Sequence, residues 1–175
     1  SVLDSHPELL TYPEETSFFR RYLPKASGKG LLEKLVISDM TLTHIFEWNQ
    51  TNPPAHQAGF PDRDYSNIPV AEVRRVVQQL VAEKFRHEGD MLSAVILAYG
   101  KVSGKITPTT HLWVEKTPYN EHYTTKIFTW WPAALVLHMV RDPRDNFASS
   151  QRKHSNWSPE AFALNWARST QAGLD

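Results

Sequence analysis

The sequence contains no cysteine. This absence excludes a disulfide-stabilised scaffold, a metal site with thiolate ligands and a cysteine nucleophile. Long apolar runs are also missing, since no uninterrupted stretch approaches the roughly 18 residues that a membrane-spanning helix needs. We therefore expect no membrane segment in this chain.

Net charge is absent as well. The chain has 175 residues, and its 19 Lys and Arg residues balance 19 Asp and Glu residues. Such a chain has no bulk positive field to attract nucleic acid, so any anion site must be local. The length is typical of one domain, which we assign to residues 1–175. The histidines are scattered and form no metal-ligand cluster, so we expect no metal.

Helical patterns cover much of the chain. Apolar residues recur at helical spacing after Pro69, which predicts a helix that ends near Gly89. Ser158, Pro159 and Glu160 supply a cap, a first-turn proline and an acid, which predict the start of a last helix. Other helices are predicted over residues 14–24, 91–100, about 119–130 and about 144–153.

Two apolar segments have the character of strands. Residues 111–116 are short and end on charge, and residues 134–140 form a nearly continuous apolar run, as expected of a strand buried on both faces. With the helix between them, they predict a βαβ unit with parallel strands. Residues 1–10 are predicted to be a helix end and a turn, and residues 49–69 a long loop. Because two strands do not make a stable sheet, further strands are either unrecognised in this chain or missing from it.

Charged residues follow both predicted strands. Glu-Lys-Thr-Pro occupies 115–118, and Arg-Asp-Pro-Arg-Asp begins at Arg141. Ligands of parallel sheets bind at the carboxyl ends of the strands, and the guanidinium of Arg141 suits a phosphate. The helix that follows favours anions, and Ser149 would add a hydroxyl donor. The segment indicates a ligand bearing phosphate or sulfate; the alternative is a surface ion pair of Arg141 or Arg144 with a neighbouring aspartate.

Three short stretches carry a family resemblance. They are Leu-Asp-Ser-His-Pro-Glu at 3–8, Val-Glu-Lys-Thr-Pro at 114–118, and Val-Arg-Asp-Pro-Arg-Asp at 140–145 with Ser149 after it. In this order they resemble the sulfotransferases that use 3′-phosphoadenosine-5′-phosphosulfate (PAPS), and most closely the bacterial and tyrosylprotein branch. The resemblance runs from residue 1 to about 155. It implies an α/β fold with a P-loop NTPase-like parallel sheet flanked by helices.

The resemblance also implies roles for particular residues. Arg141 and Ser149 would bind the 3′-phosphate of the donor. Lys116 would stabilise the transferring sulfuryl group and the leaving oxygen. PAPS would be the co-substrate, 3′,5′-adenosine bisphosphate (PAP) the product, and a hydroxyl of a tyrosine, a sugar or a small molecule the acceptor. No metal would be required.

A candidate for the general base lies near the start of the chain. Pro-Glu-Glu-Thr at 13–16 is similar to the Glu-Glu-Thr segment of the tyrosylprotein branch, in which the second Glu takes the proton of the acceptor. Glu15 is therefore the candidate base, and Glu14 remains the alternative because the alignment needs one extra residue. Both could instead be first-turn acids of a helix that starts near Thr16.

The resemblance further implies a partial domain. The Gly-rich phosphosulfate loop of the family would precede residue 3, and the C-terminal part of its fold would also be lacking, so we expect this chain alone to be inactive. Trp48, Phe60 and Tyr65 would shape the acceptor pocket or cap the core. We expect a cytoplasmic protein, or one of the Golgi lumen if it is a eukaryotic tyrosylprotein-type enzyme. The alternative functions are a P-loop kinase-like phosphotransferase and a non-catalytic nucleotide-binding domain.

Overall fold

The computed structural model describes Leu3 and residues 6–51, 65–151 and 157–174, with 48–51 described as backbone. The chain divides into two compact units, Ser1–Pro118 and Tyr119–Asp175. None of the helices in the described residues has the length and apolar composition that crossing a bilayer requires.

The first unit contains a small parallel sheet. Strand β1 (Leu9–Thr11) pairs with β2 (Leu112–Val114), and Thr11 lies opposite Val114. The backbone N–H of Tyr12 donates to the Val114 carbonyl at 2.9 Å, which continues the pairing beyond β1. The helical elements of this unit are a π-helical turn (Phe18–Tyr22), α1 (Leu23–Ala26), α2 (Leu31–Ser38), a second π-helical turn (Asp39–Thr43), α3 (His44–Thr51), α4 (Val70–Glu83) and α5 (Glu88–Val102).

Helices α4 and α5 pack against each other. Helix α4 is amphipathic, and α5 is apolar on most of its surface, so α5 is the more deeply buried of the two. Helix α5 meets β1 at Gly100, where an added Cβ would lie 2.5 Å from Leu10 Cδ2, so glycine allows the close approach. The buried valines of α4 are Val70, Val73, Val76, Val77 and Val81.

A cluster of aromatic rings lies at the end of β1. Phe46 and Tyr99 stack with ring centroids 5.5 Å apart, and Tyr12 meets both rings edge-on. The Tyr12 hydroxyl donates to the Leu42 carbonyl at 2.9 Å, and burial raises the pKa of Tyr12 far above its usual value. This packing fixes the chain just before the segment that contains Glu14 and Glu15.

The second unit is helical. Its elements are a 3₁₀ turn (Asn120–Tyr123), α6 (Thr124–Trp130), α7 (Pro143–Gln151) and α8 (Pro159–Ala172). Helix α8 starts as the sequence predicts, because the Ser158 hydroxyl accepts from the Ala161 N–H at 3.1 Å. The rings of Phe147 and Phe162 lie 5.2 Å apart and join α7 to α8.

The prediction of a buried strand over residues 134–140 is wrong. This segment has no regular secondary structure, and the only sheet in the described residues is the pair β1 and β2. Leu135, Leu137 and Met139 are 87%, 77% and 86% exposed. An apolar run becomes a buried strand only where neighbouring strands satisfy its backbone groups, and no described strand lies beside this one.

The remaining local predictions are mostly confirmed. The predicted helices at 91–100, 119–130 and 144–153 correspond to α5, to the 3₁₀ turn with α6, and to α7, although 152–153 lie outside the described residues. Gly89 does not end a helix, because α4 ends at Glu83 and Gly89 lies in the first turn of α5. Leu9 and Leu10 belong to β1 and not to a helix end or turn.

The α/β character and a small parallel sheet are confirmed, but the sheet pairs β2 with β1 and not with residues 134–140, so the predicted βαβ unit is wrong. The P-loop NTPase-like topology stays a prediction. Most of the predicted loop at 49–69 lies outside the described residues, and α3 extends to Thr51.

Candidate functional site

The carboxyl ends of β1 and β2 meet at one edge of the sheet. Because the strands are parallel and Thr11 lies opposite Val114, the residues after each strand lie side by side. Residues 14–17 follow β1, and residues 115–117 follow β2. The two motifs that the sequence singles out are therefore adjacent in space, although they are about a hundred positions apart in the chain.

The carboxylate of Glu115 joins these two segments. Its Oε1 accepts from the Thr16 hydroxyl at 2.7 Å, from the Thr16 N–H at 3.3 Å, and from the Thr117 hydroxyl. The Thr117 hydroxyl in turn accepts from the Ser17 N–H at 3.2 Å. The side chains of Thr16 and Thr117 are buried, so the hydroxyls that bind the carboxylate are shielded from water.

Glu15 and Lys116 form an ion pair on the outer side of this junction. Lys116 Nζ lies 3.1 Å from Glu15 Oε1. The Lys116 side chain is 80% exposed and the Glu15 side chain is 45% exposed. An exposed pair of this kind contributes only about 0–1 kcal/mol to folding. Its chemical interest is that a carboxylate and an ammonium group, both accessible to a ligand, lie within hydrogen-bonding distance of each other.

Glu14 has different surroundings. Its Oε1 accepts from the hydroxyl of Tyr65 at 2.8 Å, and Tyr65 is a buried side chain whose ring packs on Phe46. Neither Glu14 nor Glu15 lies in the first turn of a helix, because the π-helical turn begins at Phe18 and has no acid there. The interpretation of both residues as first-turn acids is therefore wrong.

Arg141 lies just before helix α7 in the second unit. The expected ion pair exists, but it joins Arg144 Nη2 to Asp142 Oδ2 at 2.8 Å, and these bonds lower the pKa of Asp142 to about 2. Asp142 Oδ1 also accepts from the Arg144 N–H at 2.8 Å and so caps the helix. The exposed guanidinium of Arg141 has no ion pair or hydrogen bond with any described residue. Its carbonyl accepts from the indole N–H of Trp166 at 3.0 Å, which fixes the backbone.

Ser149 lies in α7, about two turns after its start, and is half-buried. In the described part of the chain, no hydrogen bond joins it to Arg141. The structure therefore brings Glu15 and Lys116 into direct contact, and it gives Arg141 and Ser149 places before and within the same helix. Within the described ranges, no group of three or more His, Asp or Glu side chains could hold a metal ion.

Two contacts at the site were not predicted from the sequence. Glu115 and Thr117 belong to the Glu-Lys-Thr motif, yet only the lysine between them was assigned a role. Tyr65 was an expected pocket or core residue, and it is a core residue that donates to Glu14. Phe60 and the side chain of Trp48 lie outside the described residues.

Comparison with known proteins gives one match. A model of the sulfotransferase family matches residues 1–174, which include both strand ends and α7. No curated protein and no solved structure matches the chain.

Proposed function

The chain belongs to the sulfotransferase family, so its general chemistry is sulfuryl transfer, and we propose that it moves a sulfuryl group from PAPS to an acceptor hydroxyl. The observation that carries the proposal is the contact between Glu15 and Lys116 at the shared end of two parallel strands. That contact supplies a proton acceptor and a cation at one accessible point.

Glu15 is the proposed general base. The acceptor oxygen forms a bond to sulfur while its proton moves to the Glu15 carboxylate, and the bond between sulfur and the bridging phosphate oxygen breaks. The products are PAP and a sulfate ester. Glu15 is favoured over Glu14 because Glu14 accepts from the buried Tyr65 hydroxyl, whereas Glu15 is exposed beside a cation.

Lys116 is the proposed cation for the negative charge that builds up on the leaving oxygen. Sulfuryl transfer resembles phosphoryl transfer in depending on positioning and on charge stabilisation. An ammonium group 3.1 Å from the base would bring both requirements to one place.

Arg141 and Ser149 are the proposed ligands of the 3′-phosphate. Support comes from the Arg141 guanidinium, which is exposed and unpaired among the described residues, while its neighbour Arg144 is paired with Asp142. A guanidinium offers two parallel N–H donors to a phosphate, and Ser149 would add a hydroxyl donor. The residues present thus fit a nucleotide that carries this group.

The proposed acceptor is a hydroxyl of a tyrosine, a sugar or a small molecule. The Glu-Glu-Thr sequence at 14–16 favours the bacterial and tyrosylprotein branch of the family. Tyrosine is therefore the first acceptor to test.

Binding of PAP to the full-length protein tests the donor. At a ligand concentration of one hundred times Kd, a ligand that binds only the folded state stabilises it by about 2.7 kcal/mol, or roughly 5–10 °C in Tm. We expect PAP to give a shift of this size in a thermal melt and ATP to give a much smaller one. A shift with ATP and none with PAP would support the kinase-like alternative and contradict a PAPS-dependent enzyme.

Two arginine variants are matched controls for that experiment. We expect Arg141→Ala to remove most of the shift with PAP, because it removes the proposed phosphate ligand. Arg144→Ala removes an equal charge from the same helix start but leaves Arg141 in place, so the shift should remain. Equal shifts in both variants would remove Arg141 from the donor site.

A further inference from the structure

We propose that Glu115 is a positioning residue, which holds the segment bearing Glu15 against the segment bearing Lys116 and so sets the geometry of the proposed catalytic pair. This inference rests on the proposed function, because it assumes that Glu15 and Lys116 act on the acceptor and the leaving oxygen. It adds a role to a side chain that would contact neither of them.

Three donors from two segments converge on one oxygen of Glu115. The Thr16 hydroxyl, the Thr16 N–H and the Thr117 hydroxyl all donate to Oε1. Hydrogen bonds to an ionised acceptor are shorter and stronger than neutral ones. A single carboxylate therefore ties the chain after β1 to the chain after β2, beyond the last pair of the strand register.

The segment after β1 that Glu115 holds, residues 14–17, has a backbone that needs support. Ser17 has a φ of 50°, in the left-handed region that residues other than glycine rarely adopt. Its N–H donates to the Thr117 hydroxyl, and its carbonyl accepts from the N–H groups of Arg20 and Arg21 at 3.1 and 2.8 Å. Such a conformation persists only where the surrounding contacts hold it, and Glu115 fixes the threonine that binds it.

The catalytic pair itself cannot supply this order. Glu15 and Lys116 are joined by one exposed ion pair, and exposed ion pairs do not hold long side chains in one geometry. However, Glu15 is next to Thr16 in the chain, and Lys116 lies between Glu115 and Thr117. Each residue of the catalytic pair is therefore next in the chain to a threonine that donates a hydrogen bond to Glu115.

The first test is the variant Glu115→Gln in the full-length protein. The assay follows PAP release from PAPS with 4-nitrophenol, a tyrosine-containing peptide or N-acetylglucosamine, whichever the wild type uses fastest. We expect kcat to fall at least tenfold, while the Kd for PAP changes less than twofold, because neither proposed 3′-phosphate ligand is bonded to Glu115. An unchanged kcat, or a Kd that weakens as much as kcat falls, would overturn the positioning role.

Conservative variants separate positioning from a loss of fold. Thr16→Ser keeps the hydroxyl that donates to Glu115 and should retain kcat, whereas Thr16→Val should lose it as Glu115→Gln does. Glu72→Gln makes the same carboxylate-to-amide change in an exposed pair with Arg75 and should leave both constants unchanged. Equal activity of the serine and valine variants at position 16 would contradict the inference.

Amide hydrogen exchange tests whether Glu115 holds the two segments together, and it does not depend on enzyme activity. We expect the N–H groups of Thr16 and Ser17 to exchange at least tenfold faster in Glu115→Gln, while those in the middle of α5 keep their wild-type rates. Unchanged exchange rates at Thr16 and Ser17 would contradict this role of Glu115, even if the enzyme is active. A full-length wild type that releases no PAP with any of the three acceptors would instead overturn the proposed function, and the exchange rates would still decide whether Glu115 joins the two segments.

Discussion

Two adjacent glutamates show how strongly the surroundings of a residue decide its chemistry. Glu14 and Glu15 have the same side chain and follow the same strand. Glu14 accepts from the buried Tyr65 hydroxyl, whereas Glu15 faces solvent beside Lys116. The bond to Tyr65 links the segment of Glu14 to the aromatic cluster. Glu15, in contrast, has a carboxylate that an incoming hydroxyl can reach.

Replacing these glutamates one at a time tests the assignment of the base. General base catalysis typically contributes about 10²–10⁴-fold to a rate, so we expect Glu15→Gln to lower kcat by that factor. The Kd for PAP should change little, because the base acts on the acceptor. Steady-state kinetics together with calorimetric titration of PAP would measure both.

Glu14→Gln is the matched variant for this test. We expect it to keep kcat within about threefold and to lower the free energy of unfolding by about 1 kcal/mol, because the hydrogen bond from Tyr65 loses a charged acceptor. The reverse pattern, with turnover lost only in Glu14→Gln, would assign the base to Glu14.

The sequence could predict which residues form the site but not how they meet. Glu15 and Lys116 were found from short motifs, yet their contact joins positions 101 apart and depends on the parallel register of β1 and β2. The bond from Tyr65 to Glu14 was beyond reach for a similar reason, because Tyr65 lies in the predicted loop at 49–69, whose sequence has no periodic pattern. Motifs identify residue types, whereas pairing between distant segments is decided by the packing of the whole unit.

At the scale of elements, helix α7 depends on the residue that precedes it. Asp142 caps the helix through the N–H of Arg144 and pairs with its guanidinium. The hydrogen bonds from the Arg144 side chain are the largest cause of the lowered pKa of Asp142. The start of the helix, which follows the proposed phosphate ligand Arg141, is therefore sensitive to pH.

The pH dependence of this cap has a definite sign. Because the pKa of Asp142 falls from 3.8 to about 2 on folding, the cap stabilises α7 fully above about pH 4 and loses this contribution as the pH falls towards 2. We expect a carbon-13 titration of the Asp142 carboxyl to give a midpoint near 2 in the wild type. In Arg144→Ala the midpoint should move towards 3.8, and a wild-type midpoint already at 3.8 would contradict the cap.

Helices were easier to predict than strands in this chain. The valine spacing of α4 and the Ser158 cap of α8 are local signals, and both helices are present. Strand β1 has only three residues, too few for a periodic pattern to appear. The segment at 134–140 has a strong apolar pattern but no described neighbour to pair with, so the same local signal gave a wrong prediction there.

At the scale of the whole molecule, buried apolar side chains are distributed unevenly. Among the described residues, the buried apolar side chains lie between Leu10 and Tyr99, with the single exception of Phe162. Helices α7 and α8 instead keep most of their side chains at least partly exposed. Because burial of apolar surface is the main source of folding free energy, stability should be concentrated in the first unit.

Hydrogen exchange across the full chain tests this distribution. Amide groups in well-buried elements exchange only through large openings, whereas those in exposed elements exchange through small ones. We expect the slowest exchange in the middle of α4 and α5, and rates roughly tenfold or more higher in α7, where no side chain is buried. A further variant, Val95→Ala, should speed exchange in α5, since Val95 is fully buried and the change leaves a cavity. If α7 were as well protected as α5 in the wild type, the second unit would have a source of stability other than the burial of its own side chains.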